Sequence, residues 1–173
     1  MKEFSGRRSI RLKGFDYHQP GKYFITISTQ NREKFFGEVI NGTMVTNDAG
    51  RMVEQVWREI PLFYEGVTID AFQVMPDHFH GVVVLLSQES GYPPVDIQTE
   101  DQKEKRLSLP DVVHRFKTMT TKLYCDGVHG QNWIPFEKRL WGWNYYEHII
   151  RCEEEAERIC KYIRNNPLYY KRH

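Results

Sequence analysis

Residues 67–86 read VTIDAFQVMPDHFHGVVVLL. Two apolar, β-branched segments, Val67 to Met75 and Phe79 to Leu86, flank the turn dipeptide Pro76-Asp77. Runs of this composition read as strands, and so short a connection makes them antiparallel neighbours. Side chains alternate across a strand, so His78 and His80 share one face and Phe79 takes the other. Phe79 then belongs to the core, and the imidazoles lie on the opposite face. Two metal ligands, a paired acid and base, and hydrogen-bonded structural histidines all fit this pattern. A zinc site would need more ligands, and the cysteines offer no matching spacing.

The same alternation of strand and helix continues on both sides. Tyr23 to Thr29 reads as a strand, and Phe35 to Ile40, beyond the polar turn Asn31-Arg32-Glu33, as its hairpin partner. Asn41-Gly42 is a further turn signal, and Asp77 reads as a turn residue. From Asn47 to Phe63, apolar residues recur at helical spacing (Ala49, Met52, Val53, Val56, Trp57, Ile60), with Asn47 or Asp48 as cap. Helical spacing resumes from Leu107 to Cys125, with Arg115, Lys117 and Lys122 on the exposed face. Trp133 to Tyr146 is dense in aromatics and is expected to hold a strand. A last helix runs from about Glu153 to Asn165 and is closed by Asn166-Pro167, since a residue before proline avoids the helical region. The fold class expected is α+β, an antiparallel sheet in a single layer with helices packed on it.

At 173 residues the chain is the length of one domain, and its 27% charged and 40% hydrophobic residues are those of a soluble protein. Residues 1–173 are read as a single domain, with a basic arm at 1–14 and a flexible, polar excursion at 87–106. The net charge of +1 conceals clustering: Lys2, Arg7, Arg8, Arg11 and Lys13 face Glu3 alone in the arm. Lys161, Arg164, Lys171 and Arg172 make the end of the chain basic as well, so nucleic acid is not excluded as a partner. The three cysteines form no CxxC pair. Cys152 and Cys160 are too far apart on a helix for a disulfide. With no apolar stretch of signal-peptide or membrane-spanning kind, the expectation is a reduced, cytoplasmic protein with no membrane partner.

The final helix gives the histidines a task. Tyr162 and Asn166 stand four residues apart, hence on one helix face. A tyrosine at the edge of an apolar stripe is by default a core-margin residue. A phenol and an amide set opposite two imidazoles are also the parts needed to attack a phosphodiester. The imidazoles would hold a metal on the phosphate while the phenol oxygen attacks, leaving a 5′-phosphotyrosine and a free 3′-OH. Phenol has an ordinary pKa of about 10, so a nearby cation is needed to favour phenolate.

Five segments in order, RRSIRLKG (7–14), YFITISTQNR (23–32), MPDHFHG (75–81), NYYEHIIR (144–151) and YIRNNP (162–167), resemble those of the REP-associated tyrosine transposases. That family belongs to the single-tyrosine, His-hydrophobic-His (HUH) endonuclease superfamily. The resemblance implies a ferredoxin-like sheet, a divalent metal on His78 and His80, and Tyr162 as nucleophile. Asn166 stands where related insertion-sequence transposases carry a glutamine as third ligand. It also implies Mg²⁺ or Mn²⁺ as cofactor and single-stranded hairpin DNA of the repetitive palindromic kind as substrate. Arg7, Arg8, Arg11 and Lys13, with Arg115, Lys117 and Lys122 as a second surface, would contact phosphates. Trp133, Trp141, Trp143, Tyr145 and Tyr146 are divided between core packing and base stacking. His148 is either a neighbour of the site or a structural histidine. Tyr169 and Tyr170, beyond Pro167, are poor nucleophiles on geometry unless the helix runs further than its proline suggests. A non-catalytic hairpin binder and a metal-dependent hydrolase using water are the alternatives, and a monomer or homodimer would serve any of them.

Overall fold

The computed structural model describes residues 16–87 and 107–170. The basic arm, with Arg7, Arg8, Arg11 and Lys13, lies outside them, as does all of the 87–106 excursion but Ser87. Among the described residues six strands and three α-helices follow in the order β1 (Gly21–Ser28), β2 (Gly37–Ile40), β3 (Thr43–Thr46), α1 (Asp48–Phe63), β4 (Val67–Met75), β5 (His78–Leu85), α2 (Leu109–Gln131), β6 (Tyr146–Ile150) and α3 (Glu153–Tyr169). The main sheet is antiparallel with strand order β4-β5-β1-β6. With helices α1 and α2 as its crossovers, that is the split βαβ, ferredoxin-like arrangement.

The helices pack on the sheet as expected, α1 and α2 on one face and α3 on the other. Phe79, Ile25 and Ile27 pack with Trp57 and Val53 of α1 and with Val113 and Phe116 of α2. Phe24, Val82 and Ile150, their alternates along the strands, pack with Ala156 and Ile163 of α3. The centre of the larger core is aromatic, with the Phe79 ring 4.7 Å from Trp57 and 4.9 Å from Phe116. Gly81 lets Trp57 approach, since a Cβ there would stand 2.7 Å from the indole.

Local chemistry explains most boundaries. The Asn47 side chain caps α1 by accepting from Gly50 N, and its amide donates to Phe35 O. Ser108 and Asp111 form a capping box at the start of α2, which runs six residues past Cys125 to Gln131. Three expectations fail. Phe35 to Ile40 does not pair with β1: β2 pairs with β3 across Asn41-Gly42, and β1 takes β5 and β6 instead. Trp133 to Tyr146 is irregular until β6 begins at Tyr146. The last helix does not stop before Pro167, which is buried inside α3; the chain stays helical to Tyr169 because packing of that proline outweighs its missing hydrogen bond.

The Pro76-Asp77 turn is fastened to its surroundings. Thr29 N donates to Asp77 O at 2.9 Å, with the Thr29 hydroxyl 3.0 Å from the same oxygen, and Phe35 N donates to Pro76 O at 2.9 Å. Register follows: Ser28 opposes His78, Ile27 opposes Phe79 and Thr26 opposes His80. No helix among the described residues is long and apolar enough to cross a membrane.

Because Phe79 is wholly buried among large rings, Phe79→Ala should lower the unfolding free energy by about 3–5 kcal/mol. Urea denaturation with an unchanged m-value would show it.

Candidate functional site

The α3 face of the sheet opens into a cleft of about 950 Å³ at the start of β5. His78 and His80 form its floor, Phe24 and Thr26 of β1 and Tyr146 of β6 flank them, and Tyr162 and Asn166 face them from α3. The two imidazoles are buried, at 6% and 4% exposure, and their Nε2 atoms are 3.0 Å apart. Their Nδ1 atoms are both engaged: His78 Nδ1 with the Asp77 carboxylate at 2.6 Å, and His80 Nδ1 with the Thr26 hydroxyl at 2.8 Å. With Nδ1–H of His78 given to Asp77, its Nε2 is an acceptor. His80 then donates from Nε2 to His78 and accepts from the Thr26 hydroxyl. A hydroxyl can also accept, so His80 can turn both lone pairs of the couple toward one guest by exchanging tautomers.

That chemistry fits a divalent metal. A 3.0 Å separation matches two neighbouring positions of an octahedron with bonds of about 2.1 Å. Partners on the far nitrogens are the usual way of fixing metal-binding imidazoles. Asn166 lines the same cleft, where its amide opposes the fall in the His80 pKa, and so brings an amide to the same place. Among the described residues no three His, Cys, Asp or Glu side chains are grouped so that they could hold one metal ion together, so an amide and solvent would complete any coordination.

Electrostatics favour the neutral form of His80. Burial, with the neighbouring His78 and Arg32 adding to it, pushes the His80 pKa down to about 3. Burial alone would raise the Asp77 carboxyl, but the hydrogen bond and charge of His78 and the Arg32 guanidinium outweigh it and hold the carboxyl below its usual range.

The tyrosines differ. The Tyr162 ring is 48% exposed, 5.5 Å from the His80 ring and 6.1 Å edge-on from Phe24. Tyr170, read as a poor nucleophile from its position beyond Pro167, lines the cleft 6.2 Å from His78 because the helix runs on. Burial raises its pKa, and so does its hydrogen bond to Asp77, so its phenol is held protonated. Tyr169 also lines the cleft, because α3 does not end at Pro167.

No family model matches the chain. An uncharacterized protein of Haemophilus influenzae (strain ATCC 51907 / DSM 11121 / KW20 / Rd) is 39% identical over 171 residues, covering 95% of this chain and 89% of the relative. The chain belongs to that protein's family. Two solved structures are similar at a TM-score of 0.48. One is a REP-associated tyrosine transposase bound to a REP hairpin, at 20% identity, covering 98% of this chain and 74% of that one. The other is a candidate transposase of Deinococcus radiodurans, at 17% identity, covering 90% and 95%.

The fold thus gathers His78, His80, Tyr162 and Asn166 into one cleft. It does not bring Arg115, Lys117 or Lys122 there, since α2 packs on the other face of the sheet. Arg115 lies 4.6 Å over the Tyr64 ring. Lys117, expected on an exposed face, is half-buried; its ammonium donates to Gly142 O and Trp143 O, and burial pushes its pKa down to about 8. His148 bonds Glu155 at 2.8 Å. Trp141 is buried and donates to Thr120, and Trp133 packs on Gly127, whereas Trp143 and Tyr146 are more than half exposed.

Asp77, Thr26 and Arg32 were not singled out as site residues. Asp77 is no mere turn residue, since its carboxylate is buried between His78 and Arg32. Its place next to His78 was a readable hint, while Thr26 meets His80 only through strand pairing.

His80 binds a proton near pH 6.5 when unfolded and near pH 3 when folded, so the unfolded chain gains protons first on acidification. Its contribution is therefore complete above pH 6.5 and lost as pH falls toward 3. In chelator, wild type should lose about 2 kcal/mol of stability near pH 5 from this source. His80→Gln should show a flatter stability profile between about pH 6.5 and 4, measured by urea midpoints.

Proposed function

We propose that this protein is a metal-dependent nuclease and strand-transfer enzyme, a transposase acting on single-stranded hairpin DNA through a covalent 5′-phosphotyrosine. The observation that carries the reading is the pair of Nε2 atoms, 3.0 Å apart, facing the half-exposed Tyr162 ring within one cleft. The order of the transposase-like motifs along the chain supports the substrate class. So do Trp143 and Tyr146, exposed aromatics of the kind on which unpaired bases stack.

In this reading His78, His80 and Asn166 hold Mg²⁺ or Mn²⁺. Such an ion would supply Lewis-acid polarisation of a phosphoryl oxygen and an electrostatic pull toward phenolate. Asp77 and Thr26 fix the two rings so that the Nε2 lone pairs converge. The Tyr162 oxygen forms a bond to phosphorus as its proton leaves to solvent; the bond from phosphorus to the 3′-oxygen breaks, and that oxygen takes up a proton. Reversal by another strand's 3′-OH rejoins DNA and restores the phenol. Tyr162 is chosen over Tyr170 because the latter's proton is held by Asp77.

Wild-type protein incubated with labelled hairpin DNA and Mn²⁺ should give an adduct that survives a denaturing gel, and Tyr162→Phe should give none. An adduct in the mutant would remove Tyr162 as nucleophile. Cleavage without adduct would instead indicate hydrolysis by water, and binding without cleavage a non-catalytic hairpin binder. Asp77→Asn should weaken Mn²⁺ binding about 10–100-fold, read by titration of the free protein with Mn²⁺ followed by electron paramagnetic resonance.

A further inference from the structure

The chain leaves β1 through a single 3₁₀ turn, Gln30–Arg32, in which Asn31 (φ 55°) and Arg32 (φ 60°) are both in the left-handed region. Asparagine is tolerated there, but a long unbranched residue is uncommon. The conformation is imposed from several sides. Thr29 Oγ1 donates to Glu33 O at 2.7 Å, Thr29 N to Asp77 O at 2.9 Å and Gln30 N to Leu140 O at 2.9 Å. Strained backbone of this kind persists where its surroundings over-determine it, and it concentrates at binding sites.

The strain directs the Arg32 side chain back over the end of β1. Its Nη1 donates to Ser28 Oγ at 3.0 Å, and its Nε lies 3.3 Å from Asp77 Oδ2. Ser28 is the strand partner of His78, so the guanidinium is seated beside the imidazole couple. It lines the same cleft as His80 and Tyr162, and its side chain is 56% exposed. A guanidinium carries five N–H donors in one plane. The hydrogen bond to Ser28 uses one of them and Nε faces Asp77 as an ion pair, leaving Nη2 and one hydrogen of Nη1 for the oxygens of a phosphate.

Service as a counter-ion for Asp77 does not account for this arrangement. An ion pair with one side chain mostly exposed adds little stability, and two left-handed non-glycine residues oppose it. Charge points the same way. An anion entering the cleft meets the Asp77 carboxylate, and Arg32 is the cation set directly against it.

We infer that Arg32 is a phosphate-binding residue of this cleft, gripping the non-bridging oxygens of a nucleic-acid phosphodiester beside His78 and His80. The inference deepens the proposed nuclease and rests on it for the identity of that phosphodiester as the scissile one.

Two measurements on the full chain separate the inference from the reading beneath it. In the first, a single-stranded hairpin oligonucleotide is titrated in EDTA at several salt concentrations, so no chemistry is required. Removing one phosphate contact should make the slope of log K against log salt shallower by about 0.7 in Arg32→Ala, while Arg32→Lys and Tyr162→Phe keep the wild-type slope. In the second, single-turnover adduct formation with Mn²⁺ at saturating DNA should fall about 100-fold in Arg32→Ala. In Arg32→Lys it should fall at least about tenfold, because an ammonium lacks the planar fork. A wild-type slope in Arg32→Ala, together with a lowered urea midpoint, would overturn the inference and leave Arg32 a structural counter-ion. If wild type forms no adduct, the phosphotyrosine reading fails. The slope in EDTA then still decides Arg32: a shallower one supports the phosphate site, and an unchanged one removes it. Should Arg32→Ala not fold, a wild-type adduct rate in the folded Arg32→Lys protein would overturn the bidentate grip.

Discussion

The pairing of β1 with β5 is the constraint on which everything else depends. It sets Ile27 against Phe79 on one face and Thr26 against His80 on the other. A slip of one residue would turn Phe79 into the cleft beneath α3 and drive both imidazoles into an aromatic core. The slip is opposed at both ends of the histidine pair. Phe79 and Gly81 are fitted against Trp57 and Phe116, and the Asp77 carbonyl is held by Thr29. Core packing on one side of the sheet thus orients the chemistry on the other.

Asp77 then links the parts of the cleft. One buried carboxylate meets His78 Nδ1, the Arg32 guanidinium and the Tyr170 hydroxyl, and so joins β5, the exit from β1 and the end of α3. Its negative charge keeps the tautomer of His78 fixed while Arg32 balances it. His80 is controlled differently, by a neutral hydroxyl and by burial, which keeps it unprotonated well into acid. The couple is therefore asymmetric, with one ring steadied by charge and the other by desolvation.

The legible parts of the fold were those carried by short-range chemistry. The cap at Asn47 and the antiparallel turn at Pro76-Asp77 could be read directly, because a capping oxygen and a two-residue connection act on neighbours. The partner of β1 could not. Phe35 to Ile40 has strand composition and is near in sequence, yet β1 pairs with segments more than fifty residues away on one side and more than a hundred on the other. Pro167 misled for a related reason: its local penalty is real, but the residue is buried within α3, which stays helical to Tyr169 and brings Tyr169 and Tyr170 to the cleft. Among the aromatics, composition could not divide buried Trp141 from exposed Trp143, two residues on.

The sequence by itself determined that His78 and His80 share a face, because a strand has a period of two, and that Tyr162 and Asn166 share another, because a helix repeats at nearly four. Each of those facts is settled by backbone geometry within a few residues. That the two faces meet, that Thr26 and Asp77 orient the rings, and that Arg32 is turned into the same cleft were decided only by tertiary structure. Those relations depend on strand register and on α3 crossing the sheet, and both are fixed by packing between segments that no local rule connects.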